Sequence, residues 1–96
     1  MAGDDDITVC VRIRGRVQGV WYRGWTEEEA ARRGLRGWVR NRRDGSVEAV
    51  FCGPAALVQD MVDACWRGPP AARVEAVEQS PAANYAGSSF DTLMTE

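Results

Sequence analysis

Two strand-like runs, Arg36–Arg43 and Ser46–Cys52, meet near the middle of this 96-residue chain at Asp44-Gly45. That dipeptide between extended runs is the strongest short-range hairpin signal a sequence carries. It places an antiparallel pair at the centre of the chain and limits what the flanking segments can do. Upstream, Ile7, Val9, Val11 and Ile13 alternate with Thr8, Cys10, Arg12 and Arg14, the period of a half-buried strand. Gly15 is expected to end that strand, and Gly15–Trp21 reads as a loop with flexible points at its glycines. Tyr22–Arg33 reads as a helix, with acids in the middle and arginines at the end, and pairs Glu28–Arg32 and Glu29–Arg33 at four-residue spacing. Downstream, Pro54 suits a helix start, Leu57, Val58, Met61, Val62 and Cys65 follow at helical spacing, and Gly68-Pro69-Pro70 stops the run. Arg73–Glu78 reads as a strand, Ser80–Ser89 as a connection, and Phe90–Met94 as a short edge strand or a frayed end.

The order β-α-β-β-α-β predicts an α+β ferredoxin-like sandwich: an antiparallel sheet with two helices on one face. Ninety-six residues suffice for one domain with one core. A single domain over 1–96 is therefore expected, with residues 1–6 a disordered acidic N-terminus. No apolar run reaches the ~18–20 residues that span a bilayer. MAGDDDITVC lacks the basic flank and apolar stretch of a signal peptide. The expectation is a cytoplasmic protein with no membrane partner.

Composition narrows the chemistry. Histidine is absent, which removes the commonest zinc sites, serine–histidine triads and cysteine–histidine pairs. Cys10, Cys52 and Cys65 form no close pair at metal spacing, so buried or idle thiols are expected. Charge is uneven: Arg12–Arg43 holds ten arginines against Glu27, Glu28 and Glu29, a balance of +7, and the remainder carries −9. A first half that faces an anion is one reading, and a solvated charged surface is the other.

The loop Gly15-Arg16-Val17-Gln18-Gly19-Val20-Trp21 can aim several backbone N–H groups into one concavity at the positive end of the following helix. Arg23 opens that helix, and its guanidinium can close over the same anion with two parallel hydrogen bonds. A plain connecting turn is the alternative. The loop is not a Walker motif, nor a dinucleotide fingerprint, because the required lysine and glycine spacing are missing. Cys10 and Arg16 do have the cysteine–five residues–arginine spacing of thiol-dependent phosphatases. Yet Cys10 falls in mid-strand, and a thiolate nucleophile needs exposure and a lowered pKa.

Gly15-Arg16-Val17-Gln18-Gly19-Val20-Trp21-Tyr22-Arg23, then Gly37-Trp38-Val39-Arg40-Asn41 and Asp44-Gly45-Ser46-Val47, resemble the acylphosphatase family. The similarity continues through Glu48 and Gly53-Pro54 to Gly68–Val74 and covers roughly Val9 to Val77. It implies a small hydrolase that splits the carboxyl–phosphate bond of acyl phosphates and needs no metal or other cofactor. By the same resemblance Arg23 matches the phosphate-binding arginine, and Asn41 the asparagine that positions the attacking water. Arg16, Val17, Gln18, Gly19 and Val20 match the cradle of backbone N–H groups. Trp21 stands where Gly or Phe is frequent, and Tyr22 replaces the usual Phe.

The residues suit that chemistry. A carboxylate leaving group, whose conjugate acid has a pKa of about 4, departs without a general acid. What remains is to hold the phosphoryl group, spread its charge and align water. The partner expected is a small acyl phosphate, with inorganic phosphate as product and inhibitor and no nucleic acid; the protein is expected to be a monomer. An RNA-binding module of the same fold would need basic residues interleaved with aromatics, and Ser46–Cys52 offers only Phe51 and no basic residue. A domain of a larger carbamoyl-transfer enzyme would be expected with CxxC pairs, which this chain lacks. Tyr22, Trp25, Leu57, Met61 and Val62 are expected in the core, Trp38 as a packed strand residue, and Glu27–Glu29 on a solvated, paired face.

Overall fold

β1 occupies Asp6–Arg16 in the computed structural model, which describes residues 6–96. The N-terminus expected to be disordered lies outside the described residues except for Asp6, which opens the strand. Val9, Val11 and Ile13 are buried, as their alternation requires. Gly15 does not end the strand. The register against the strand Arg73–Pro81 shifts between Arg14 and Gly15, and pairing continues to Arg16 opposite Arg73. A Cβ on Gly15 would stand 2.3 Å from the Arg73 carbonyl oxygen, so only glycine admits this bulge.

α1 (Tyr22–Arg32) ends one residue earlier than expected, because Leu35 N–H reaches Ala30 O at 2.9 Å and Gly34 N–H reaches Ala31 O at 3.0 Å. This double bond is a Schellman close, and it buries Leu35 beside Ala30. Arg33 bonds Glu29 as expected, at 2.8 Å, and also Asp60 of the second helix at 2.8 Å. Arg32 pairs with Glu29 at 3.2 Å, where Glu28 was expected. β2 (Arg36–Asn41) and β3 (Val47–Pro54) form the hairpin with a wider loop than Asp44-Gly45 alone. Arg42 N–H donates to Ser46 O at 2.8 Å and Gly45 N–H to Arg42 O at 3.1 Å. The loop is thus Arg43–Gly45, and Gly45 alone among them has a positive φ, 93°. A two-residue type I′ turn would need two such residues.

α2 (Ala55–Cys65) follows Pro54 directly, and β4 (Arg73–Pro81) and β5 (Phe90–Thr92) complete the sheet. The strand order is β4-β1-β3-β2-β5. The first four strands pair antiparallel, the arrangement of the ferredoxin-like fold, with both helices packed on the sheet. The sheet as a whole is mixed, however. β5 pairs parallel to β2, with Phe90 opposite Gly37 and Thr92 opposite Val39. The chain leaves β4 at one edge and returns beside β2 at the other, a path that no local periodicity encodes.

One buried cluster joins Val11, Ile13, Val39 and Phe51 of the sheet with Tyr22, Trp25, Val58, Met61 and Val62 of the helices. Leu57, expected in this core, is instead 39% exposed. On the other face of the sheet, Arg12, Glu48 and Arg40 stand in register across three strands. Glu48 accepts from Arg40 at 3.0 Å and Arg42 at 3.3 Å, while Arg12 lies 3.7 Å away. Trp38 is half-buried here, with the Arg40 guanidinium 4.7 Å from its ring centroid.

Candidate active site

Val17 is buried and anchors the start of the loop that joins β1 to α1. Gln18 ties the same loop to the hairpin: its Nε2 donates to Arg42 O at 2.8 Å and Ser46 O at 2.9 Å. Gly19, at φ 73°, turns the chain back toward the helix. Trp21 then takes the left-handed conformation, φ 68° and ψ 26°, the only non-glycine with positive φ among the described residues. That geometry costs a residue with a Cβ roughly 1–2 kcal/mol, and the surrounding structure must hold it.

α1 begins here without a side-chain cap and without an acid in its first turn. Its first N–H groups and the positive end of its dipole therefore face the loop uncompensated. Tyr22 fixes the helix start. Its ring is buried, tilted against Trp25 at 5.3 Å between centroids, and its hydroxyl donates to Cys65 O at 2.6 Å. Burial, then the Cys65 contact, pushes the phenol far above its usual range, so it stays a neutral donor. The next residue, Arg23, is half-buried, and no carboxylate lies within salt-bridge reach of it among the described residues.

These elements border an open cleft of about 380 Å³. Val17, Gln18 and Gly19 line it from the loop, Arg23 from the helix start and Asn41 from the last position of β2. The Asn41 Oδ1 is buried and has no hydrogen-bond partner among the described residues, an unsatisfied acceptor of the kind that interiors avoid unless it has a use. Five of the seven expected site residues thus share one cleft. Arg16 and Val20 do not line it. The bulge at Gly15 carries Arg16 into the strand as the partner of Arg73, and the side chain of Val20 packs on the core.

Tyr22, Trp21, Gly24, Glu27 and Thr92 complete the lining. Glu27 follows Arg23 by one helical turn and lies on the same face, a spacing visible in the sequence. Of the three acids expected on a solvated, paired face, Glu29 alone forms ion pairs among the described residues, while Glu27 accepts from the Thr92 hydroxyl at 3.0 Å. Thr92 carried no sequence signal, because its place depends on the parallel docking of β5. Cys10 lies outside the cleft, on the opposite face of the sheet. Its thiol is pushed up by burial and then by the carboxylate of Glu48, 3.8 Å away, the reverse of what a thiol nucleophile needs.

An uncapped helix start, a glycine-bearing loop and an arginine with no carboxylate in reach among the described residues meet at one cleft of a small α+β domain, features with which an oxyanion can be held. The acylphosphatase family model matches residues 9–92. The chain is 63% identical to an acylphosphatase of Nitrobacter hamburgensis over 82% of its own length and 80% of that protein's. It is 54% identical to one of Azoarcus sp. over 96% and 97% of the two chains. The solved structure of an acylphosphatase from Coxiella burnetii superposes with a TM-score of 0.93 at 30% identity, covering 97% of this chain and 98% of that one. This chain belongs to the acylphosphatase family. It is a hydrolase acting on acyl phosphates.

Proposed function

We propose that the cleft bordered by Arg23 and Asn41 is where the acyl phosphate is hydrolysed, by in-line attack of a positioned water. The loop amides from Val17 to Gly19 and the open N-terminus of α1 hold the phosphoryl oxygens, and the Arg23 guanidinium grips two of them. These donors are fixed before substrate arrives, so they stabilise the charge that develops in the transition state without reorganising. Asn41 orients the water through its amide. Its side chain is too weak a base to take the proton, which passes to a phosphate oxygen as the carboxylate leaves. The leaving group needs no acid, which suits a site without histidine. The observation that carries this reading is that, among the described residues, the buried Asn41 Oδ1 has no hydrogen-bond partner and shares its cleft with an arginine that no carboxylate reaches.

The reaction is proposed to need no metal, because the carboxylate leaves without an acid and fixed amide and guanidinium donors take up the phosphoryl charge. A monomer in the cytoplasm is the proposed working form; no helix of the described residues is long and apolar enough to cross a membrane. Nucleic acid is not the proposed partner. The arginines of the open sheet face are matched by acids, with Arg12 and Arg14 near Asp44, Arg14 on Glu78, Arg36 on Asp6 and Arg40 on Glu96, so little net charge remains for phosphodiesters.

Phosphate release from benzoyl phosphate, with excess chelator present, tests the reading. Arg23→Gln should lower kcat/KM by at least ~10²-fold, the scale of losing a preorganised donor. Asn41→Ala should lower kcat while competition by inorganic phosphate persists, because a water-orienting group acts in the transition state. Loss of phosphate inhibition together with turnover in Asn41→Ala would make Asn41 a binding residue and overturn its assigned role.

A further inference from the structure

We infer that Trp21, Glu27 and Thr92 form the wall against which the acyl group lies, and that this wall selects uncharged acyl groups with a planar apolar face. The inference rests on the placement of phosphate and water proposed above. With the loop amides and Arg23 on the phosphoryl group and Asn41 on the water, the exposed lining that remains is Trp21, Gly24, Glu27 and Thr92. These residues are the part of the lining left to meet the acyl group.

Two features of that surface define its chemistry. Trp21 is 58% exposed in spite of its size, and its left-handed backbone swings the indole onto the helix start. The ring lies so close over Gly24 that a Cβ there would stand 2.2 Å from the indole Nε1. A ring held in this way keeps its outer face open and costs no further ordering when a planar apolar group stacks on it. The second feature is a fixed negative charge. The spacing from Arg23 to Glu27 allows an ion pair along the helix, yet no such pair forms. The Glu27 carboxylate instead accepts from the Thr92 hydroxyl at 3.0 Å. Thr92 thereby holds the carboxylate on the cleft wall and leaves the guanidinium free for phosphate. An acyl group that carries its own carboxylate meets that charge and is repelled.

The test compares kcat/KM for benzoyl phosphate, acetyl phosphate and para-carboxybenzoyl phosphate, which differ in ring and in charge. Trp21→Gly suits the left-handed backbone, so the loop is kept while the ring is lost. It should lower the benzoyl-to-acetyl ratio by about fivefold, the scale of one aromatic contact, and Trp21→Phe should retain most of it. Glu27→Gln should raise the para-carboxybenzoyl-to-benzoyl ratio by about threefold, the scale of one charge removed at a few ångströms in a wet cleft. Unchanged ratios in both variants of an active enzyme overturn this wall and leave the phosphate site standing. A wild type that turns over none of the three substrates overturns the phosphate site and the wall together.

Discussion

Cys65 illustrates how a single side chain can carry a pH signature without taking part in the chemistry. Burial pushes its thiol up to about 12 from an ordinary 9.0. A group whose pKa rises on folding stabilises the fold while protonated. That contribution is complete below the unfolded pKa and is lost as pH rises through the folded one. Thermal melts should therefore weaken between pH 9 and about 12, and the fall should be shallower in Cys65→Ala measured against its own neutral-pH value. A wild type and a Cys65→Ala variant with the same alkaline slope would exclude this thiol as the cause. The three cysteines should matter for stability alone. Cys52, which accepts from Thr8 at 3.1 Å and from Arg36 at 2.9 Å, and Cys65 are buried. A variant with all three changed to alanine should melt lower yet keep its activity per folded molecule. Loss of activity on alkylation of Cys10 alone would instead revive a thiol mechanism.

The β2–β3 hairpin links local turn chemistry to the cleft. Asp44 accepts from the Ser46 hydroxyl at 2.6 Å and the Ser46 N–H at 2.9 Å. First the hydroxyl and then the backbone bond lowers its pKa to about 2 from 3.8. A lowered pKa stabilises the fold above the unfolded value and loses that contribution as pH falls through the folded one. The difference in melting temperature between wild type and Asp44→Asn should therefore hold at neutral pH and close between 3.8 and about 2. A difference that persists below this window would assign it to packing instead of charge. The same turn shapes the base of the hairpin, whose Arg42 and Ser46 carbonyls take the Gln18 amide. The position of this turn was legible from Asp44-Gly45. Its length was not, because the dipeptide suits two-residue and three-residue loops alike. The bonds that decide between them come from Arg42 and Ser46, outside the motif.

For the whole molecule, a cleft preorganised for an oxyanion should make folding and ligand binding one equilibrium. A ligand that binds only the folded state stabilises by about 2.7 kcal/mol at a hundredfold excess over Kd. In a domain of this size that corresponds to a melting shift on the order of 10 °C with inorganic phosphate. Phosphate and sulfate also stabilise proteins through exclusion from the surface, so the comparison is with Arg23→Gln at matched ionic strength. The specific part of the shift should vanish in that variant. Equal shifts in both proteins would mean that Arg23 and the loop do not form one anion site.

Those parts of the molecule that depend on near neighbours were determined by the sequence itself. Alternation placed β1, helical spacing placed α2, and the chemistry around Arg23 lay within one short loop, because periodicity, turn sterics and helix dipoles act over a few residues. The bulge at Gly15 escaped this reading, since the need for a missing Cβ comes from Arg73 on another strand. The same holds for the pairing of Arg16 with Arg73, which extends β1 past the bulge. Arg23 and Asn41 were each marked by resemblance, but their meeting at one cleft required β2 to lie beside the loop. The bond from Thr92 to Glu27 spans 65 residues and exists only because β5 runs parallel to β2. Contacts of that kind are set by how the whole chain closes around its core, where many weak long-range interactions compete. Only the tertiary structure could decide them.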